Sequence, residues 1–368
     1  MLIGRDKYLE ALKIRMHNNM IKVVTGIRRC GKSYLVFKIF KNYLIENQIT
    51  EDHIISIELD QRKNRGLRDP DAILDYVDSL IKDDKQYYIL LDEVQMLKEF
   101  EEVLNSLLHI PNADVYVTGS NSKFLSKDII TEFRGRGDEV HVYPLSFKEF
   151  MEAYEGDQYK GWAEFVTYGG LPLTVTMKTE EQKIQYLKTL FDETYSKDII
   201  ERNHIEKVQE LNDLINVLAS IVGSLSNPSK IEATFKSVIQ SDISLNTIRQ
   251  YIEHLKDAFV INEAQRYDVK GRKYIGTPVK YYFEDIGLRN ARLGFRQVEE
   301  THLMENIIYN ELRMRGYQVD VGVVQKREKN EEGITTKKQL EIDFIANQGS
   351  KRYYIQSAYN ISDAEKMK

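Results

Sequence analysis

At 368 residues the chain is longer than one ordinary hydrophobic core supports, so two or three domains are expected. A content of 42% hydrophobic and 30% charged residues with only six prolines excludes a disordered or fibrous chain. The net charge of -5 argues against coating nucleic acid through overall charge but leaves a local basic face open. The longest apolar runs, such as YYILL at 87–91, fall far short of the ~18 residues that span a bilayer, and the start has no signal-peptide pattern. A cytoplasmic protein with no membrane attachment is therefore expected, and a single cysteine, Cys30, which cannot form an internal disulfide, fits a reducing compartment.

Along the chain, the first informative segment is IKVVTGIRRCGKSYLVFKIF, a β-prone run, a loop and a helical pattern. The loop, Gly26-Ile27-Arg28-Arg29-Cys30-Gly31-Lys32-Ser33, matches G-x-x-x-x-G-K-[ST] in full. Gly26 and Gly31 allow the backbone N–H groups to wrap phosphate. Lys32 is expected to reach the β- and γ-phosphates and Ser33 to ligate Mg²⁺, with Ile27, Arg28, Arg29, Cys30 and the following Tyr34 completing the nucleotide site; Cys30 fills a variable loop position. Such a site needs a second metal-directing carboxylate at the end of a buried neighbouring strand. QYYILLDEVQ supplies Asp92 for the metal and Glu93 to polarise a water, making hydrolysis of ATP a stronger expectation than binding alone. A third strand, ADVYVTGSNS, ends where Ser120 or Asn121 can sense a γ-phosphate. Arg134 and Arg136 precede a fourth strand, where an arginine can stabilise transferring charge or simply occupy a solvated loop.

These two motifs, with LIGRDKYLEAL at the start and YGGLPL at 168–173, resemble the AAA+-like and STAND branch of P-loop ATPases. The resemblance implies contacts to adenine from Ile3, Gly4, Arg5 and Pro172. Read without it, Gly4-Arg5 and Pro172 are ordinary helix starts. The layout as a whole, including TYSKDI and YYFEDIGLRNA, is similar to a large family of prokaryotic ATPases fused to a carboxy-terminal domain of unknown function.

Beyond the ATPase core (1–150), residues 151–205 carry helical periodicity broken at Gly169-Gly170, as expected of a helical lid over the nucleotide. Residues 206–285 read as helix, helix, helix and hairpin, the order of a winged helix, with Ser244 as an N-cap. If it contacts double-stranded DNA, Asn246, Arg249 and Gln250 face the groove and Arg266, Lys270, Arg272 and Lys273 of the wing meet phosphates, although Glu253 and Asp257 make the helix mixed in charge. A winged helix used only for packing, or for binding a protein partner, fits the same pattern.

The last segment, 286–368, reads as a helix followed by three strands and resembles the PD-(D/E)xK nuclease core, with Glu305 and Asp343 matching two of its acids. Its final strand carries Gln356 and Ala358 where the family has a carboxylate and a lysine. Strand alternation puts Glu341 on the face of Asp343 and leaves the lysine role empty, so the domain is expected to be inactive. The fold class expected is therefore an α/β P-loop NTPase with a parallel sheet and helical lid, then a winged helix and a small nuclease-like α/β domain.

Overall fold

The computed structural model describes residues 3–119, 135–297, 300–329 and 335–358. The chain divides into two compact units, Met1–Leu145 with Asp257–Phe259, and Ser146–Lys256 with Val260–Lys368.

The first unit is built on five strands, β1 (Ile21–Thr25), β2 (Ile54–Glu58), β3 (Tyr87–Asp92), β4 (Ala113–Thr118) and β5 (Gly137–His141). They form one sheet in the order β2-β3-β4-β1-β5, and every pairing is parallel. Parallel strands need crossovers that cover both faces, which explains why β1, β3 and β4 are buried along almost their whole length. One face carries Ile21, Val23, Ile57, Ile89, Leu91 and Val117 against Ile73 and Val77 of the helix Pro70–Leu80 and Val103, Leu104 and Leu107 of Phe100–Leu108. A fully buried side chain of this size contributes ~1.5–3 kcal/mol. The other face holds an ion pair with no exposed charge: Lys22 on β1 meets Asp114 on β4, which also accepts from the Tyr116 hydroxyl at 2.9 Å. Burial pulls the Lys22 ammonium down from its ordinary value, and Asp114 pushes it back up.

The helices expected to form a lid belong to the second unit. Helix Gln158–Tyr168 ends at Gly169, whose φ of 76° lies in the left-handed region where glycine is favoured. Gly170 N–H then donates to Asp285 at 2.8 Å. Asp285 is also the N-cap of helix Ile286–Arg292, accepting from Leu288 N–H at 3.0 Å. A Cβ on Gly287 would overlap the Tyr168 carbonyl oxygen, so both strands of this crossing depend on glycine. Thus YGGLPL and YYFEDIGLRNA, far apart in sequence, form one joint. Pro172 opens the short helix Pro172–Thr176 at its first turn, as a helix start.

Helices Val208–Ser220, Pro228–Thr234 and Leu245–Asp257 follow in the expected order, the last capped by the Ser244 hydroxyl accepting from Thr247 N–H at 3.1 Å. The hairpin β6 (Ile261–Asp268) and β7 (Lys273–Phe283) is not a separate wing, however. β6 pairs in parallel with β8 (Gln318–Lys329), and with β9 (Thr335–Gln348) and β10 (Lys351–Ile355) they make one five-stranded sheet, β10-β9-β8-β6-β7. The boundary expected at 285 therefore falls inside a sheet. Helix Glu300–Met314 packs on it, with Tyr309 stacked on Tyr282 at 4.3 Å between ring centroids.

Asp285 is fully buried, and that burial pushes its carboxyl up to about 6 despite the N–H groups of Gly170, Leu288 and Gly287. Against 3.8 in the unfolded chain, the folded state holds the additional proton between these values, so stability falls as pH rises through that window, by up to ~3 kcal/mol. Asp285→Asn should remove this slope, seen as a wild-type advantage in urea unfolding that shrinks between about pH 4 and pH 7. Asp285→Ala, which also removes the cap and strands buried N–H groups, is expected to cost about 2–4 kcal/mol.

Candidate functional site

Because the sheet of the first unit is parallel, the loops after β1, β3 and β4 leave it on one edge. The loop after β1 bends at Gly26 (φ 133°) and Gly31 (φ 104°), and a Cβ on Gly26 would overlap the Val142 carbonyl oxygen. Arg29 also takes a left-handed conformation, with φ 65°. Gly31 caps a helical stretch over 32–46, whose first N–H groups are those an α-helix leaves without an intrahelical acceptor. Lys32 is 4% exposed and its ammonium donates to the Gly26 and Ile27 carbonyls at 2.9 and 3.1 Å, so its charge is held within the loop. Ile27 and Cys30 are fully buried, Tyr34 and Arg29 are exposed and Arg28 is partly exposed. The buried Cys30 side chain packs toward Gly26.

The Ser33 hydroxyl donates to Asp92 at 2.9 Å, and the Thr118 hydroxyl donates to the same carboxylate oxygen. Thr118 also accepts from Glu93 N–H at 3.1 Å, fixing the backbone at Glu93, which sits in the left-handed region at φ 49°. The Gln95 amide donates to the Glu93 carboxylate. Burial pushes the Asp92 carboxyl above its ordinary range, the Thr118 and Ser33 hydroxyls pull it back, and Glu93 and Asp60 push it further up. Glu58, opposite Asp92 in register, joins Asp60 and Asp92 in a group whose carboxylate oxygens lie within 4.8 Å of one another. A divalent cation is what such a set favours, and the Gly26 cradle, the Lys32 ammonium and the Ser33–Asp92 pair fit a Mg²⁺-nucleotide.

The structure thus brings together Gly26, Gly31, Lys32, Ser33, Asp92 and Glu93, and adds Thr118, Glu58 and Asp60, which the sequence reading missed. The signal for Thr118 was a polar residue closing an apolar strand; that for Glu58 and Asp60 was the acidic end of IISIELD. Arg136 sits at the other end of the sheet from the phosphate loop of its own chain. Its carbonyl accepts from Ile21 N–H at 2.8 Å, so within one chain it lies beside the start of β1, ~13 Å of strand away from the loop that follows Thr25; a role across a subunit interface, which the sequence leaves equally open, is not addressed by this placement. Ser120, Asn121 and Arg134 lie outside the described residues. Ile3 and Gly4 are half-buried. Arg5 is buried with its guanidinium stacked on Tyr8 and donating to the Tyr143 carbonyl, so it anchors the first helix, Asp6–Ile14, to the end of β5.

In the second unit, Asn246, Arg249 and Gln250 are exposed on their helix, as are Lys270, Arg272 and Lys273 at the β6–β7 turn. Arg266 is corrected as a phosphate contact: it is 6% exposed, because alternation along β6 turns it inward with Ala264. The nuclease-like cluster is also altered. Lys280 of β7 is 3% exposed and its ammonium pairs with Glu305 at 2.8 Å and Glu341 at 2.7 Å. A cation expected to be missing from this cluster therefore arrives from another strand. A register shift between β8 and β9 falls beside Asp343, which accepts from the Gln356 amide and Ser357 N–H, each at 2.7 Å, and whose carboxyl is near enough to Lys280 and Glu341 to feel both charges.

Residues 18–151 match the family described as AAA domain, and residues 159–299 match a domain of unknown function, DUF8612. An uncharacterized protein of Haemophilus influenzae is 33% identical over 98% of this chain and 88% of its own length. Uncharacterized protein MJ1544 of Methanocaldococcus jannaschii is 28% identical over 99% of this chain and 79% of its own. Among solved structures, the Walker-type ATPase of Pyrococcus abyssi superposes with a TM-score of 0.56 at 16% identity, covering 79% of this chain and 96% of that one. The first unit is thus an AAA-type P-loop ATPase fold. The chain belongs to the family of the Haemophilus influenzae protein, and it joins an ATPase-like domain to a domain of unknown function.

No helix among the described residues is long and apolar enough to cross a membrane. Gly26→Ala places a methyl group into the Val142 carbonyl at a φ that L-residues rarely adopt, and is expected to destabilise the first unit by about 3 kcal/mol or more, measured as a lowered thermal midpoint.

Proposed function

We propose that this protein binds ATP with Mg²⁺ and hydrolyses it slowly as a switch acting on DNA through its second unit. The observation that carries the nucleotide reading is the shared Asp92 oxygen. It accepts hydroxyls from Ser33 in the phosphate loop and Thr118 on a neighbouring strand, beside the enclosed Lys32 ammonium. In this reading the Gly26–Ser33 backbone and Lys32 hold the phosphates, while Ser33 and Asp92, with Glu58 and Asp60 nearby, hold Mg²⁺. The bound ion supplies positive charge that stabilises the transferring phosphoryl group. Glu93 takes a proton from the attacking water as the bond to the γ-phosphorus forms and ADP departs with the electrons of the broken bond. Thr118 keeps Asp92 and the Glu93 backbone in register during this step.

DNA is supported as partner by the exposed Arg249 and the exposed Lys270, Arg272 and Lys273, which project positive charge from a chain of net negative charge. Cleavage of that DNA is disfavoured, because Lys280 engages Glu305 and Glu341 while Gln356 and Ser357 engage Asp343.

Lys32→Ala should abolish binding of a fluorescent ATP analogue, whereas Glu93→Gln should keep binding and lower turnover by about 10²–10⁴-fold. Thr118→Val should lower turnover by about tenfold or more with binding retained, and EDTA should silence hydrolysis in every variant. Normal turnover by Lys32→Ala would overturn the site.

A further inference from the structure

The hairpin and tail strands of the second unit expose a surface whose parts are joined. Tyr267 and Tyr274 face each other in register, with ring centroids 5.3 Å apart. The guanidinium of Arg352, on β10, lies 5.3 Å from the centroid of the Tyr267 ring although β8 and β9 intervene. The β8 residue opposite Tyr267 is Gly322, which carries no side chain to stand between them.

This arrangement is held from below. Asp320 is 4% exposed and accepts from the Tyr274 hydroxyl at 3.2 Å and, more distantly, from the Asn347 amide at 3.5 Å; the Asn347 oxygen accepts from Arg352 at 2.7 Å. The chain Tyr274–Asp320–Asn347–Arg352 therefore fixes an aromatic and a guanidinium plane whose outer sides meet solvent. Tyr274 is 51% exposed, and Tyr354, a strand neighbour of Arg352 with the same facing, is 52% exposed. Large rings left half in water contribute little to a core, and their exposed faces are available for stacking.

Charge selects the partner. Among the described side chains of these strands and the turns joining them, the exposed ionisable ones are Lys270, Arg272, Lys273, Lys351, Arg352 and Glu341. The lone acid is already paired with Lys280, so the free charge is positive, on a chain whose net charge is -5.

We propose that this tyrosine–arginine face binds single-stranded nucleic acid, its bases stacking on Tyr274, Tyr354 and the Arg352 plane and its phosphates meeting Lys270, Arg272, Lys273 and Lys351. The inference rests on the DNA reading above and refines it. A duplex keeps its bases stacked on one another and offers only phosphates to the turn, whereas an unpaired strand uses both the rings and the charges.

The test is fluorescence anisotropy of the full chain with a labelled oligothymidylate of about 15 nucleotides and a duplex of equal length. Tyr274→Ala and Tyr354→Ala should each weaken the single strand by about tenfold while leaving duplex affinity unchanged, and Tyr274→Phe, which keeps the ring, should stay near wild type. Thermal melts matching wild type ensure that folding is not what is read. If the tyrosine variants bind oligothymidylate normally and only K270A/R272A/K273A loses both forms, stacking is overturned and the DNA reading stands. If wild type binds neither form, both fall. If polyglutamate displaces the oligonucleotide as well as unlabelled oligothymidylate does, the surface is an acidic-peptide site and this proposal is overturned.

Discussion

The first unit turns on one carboxylate. Asp92 ends a strand that is buried along its whole length, and its oxygen receives hydroxyls from a loop after β1 and from the last residue of β4. Burying an ionised carboxyl is costly unless it is hydrogen-bonded, so Ser33 and Thr118 must come to it for the strand ends to be tolerable. That requirement sets the loop's position relative to the sheet, and with it Lys32 and the run of helix N–H groups. Burial first, and then the charges of Glu93 and Asp60, push the Asp92 carboxyl up, while Glu58 and Asp60 bring further carboxylate oxygens within 4.8 Å of it.

Local chemistry was legible and long-range chemistry was not. Gly26 to Ser33 declare themselves because the loop's shape is made by residues adjacent in sequence, and Asp92 because an apolar strand ends there. Thr118 became meaningful only once β4 lay parallel beside β3, and Glu58 only once β2 stood on the other side. Arg136 shows the same limit: proximity in sequence to a strand said nothing about which end of the sheet it would occupy.

In the second unit the elements were legible and their grouping was not. Three helices and a hairpin follow one another as the periodicity predicts, yet β6 pairs with β8 across more than one intervening helix, so a hairpin that looked self-sufficient became the inner part of a larger sheet. Its alternation then had two faces to satisfy. Arg266 went inward and Tyr267 outward, a distinction that an isolated wing with two wet faces would not have imposed. The glycine joint between Gly169 and Gly287 escaped for a related reason: each glycine looks like a local break, and only the close approach of the two segments, Gly169 against Asp285 and Gly287 against the Tyr168 carbonyl, explains both.

Lys280 carries a consequence of a different kind. Where a metalloenzyme borrows its positive charge from the medium, the Glu305–Glu341 pair has one fastened to its own backbone. Such a counter-ion can be neither chelated nor exchanged, nor does its occupancy depend on concentration. The positive charge of that pocket is therefore inherited with the polypeptide, fixed at translation, and indifferent to the supply of free cations.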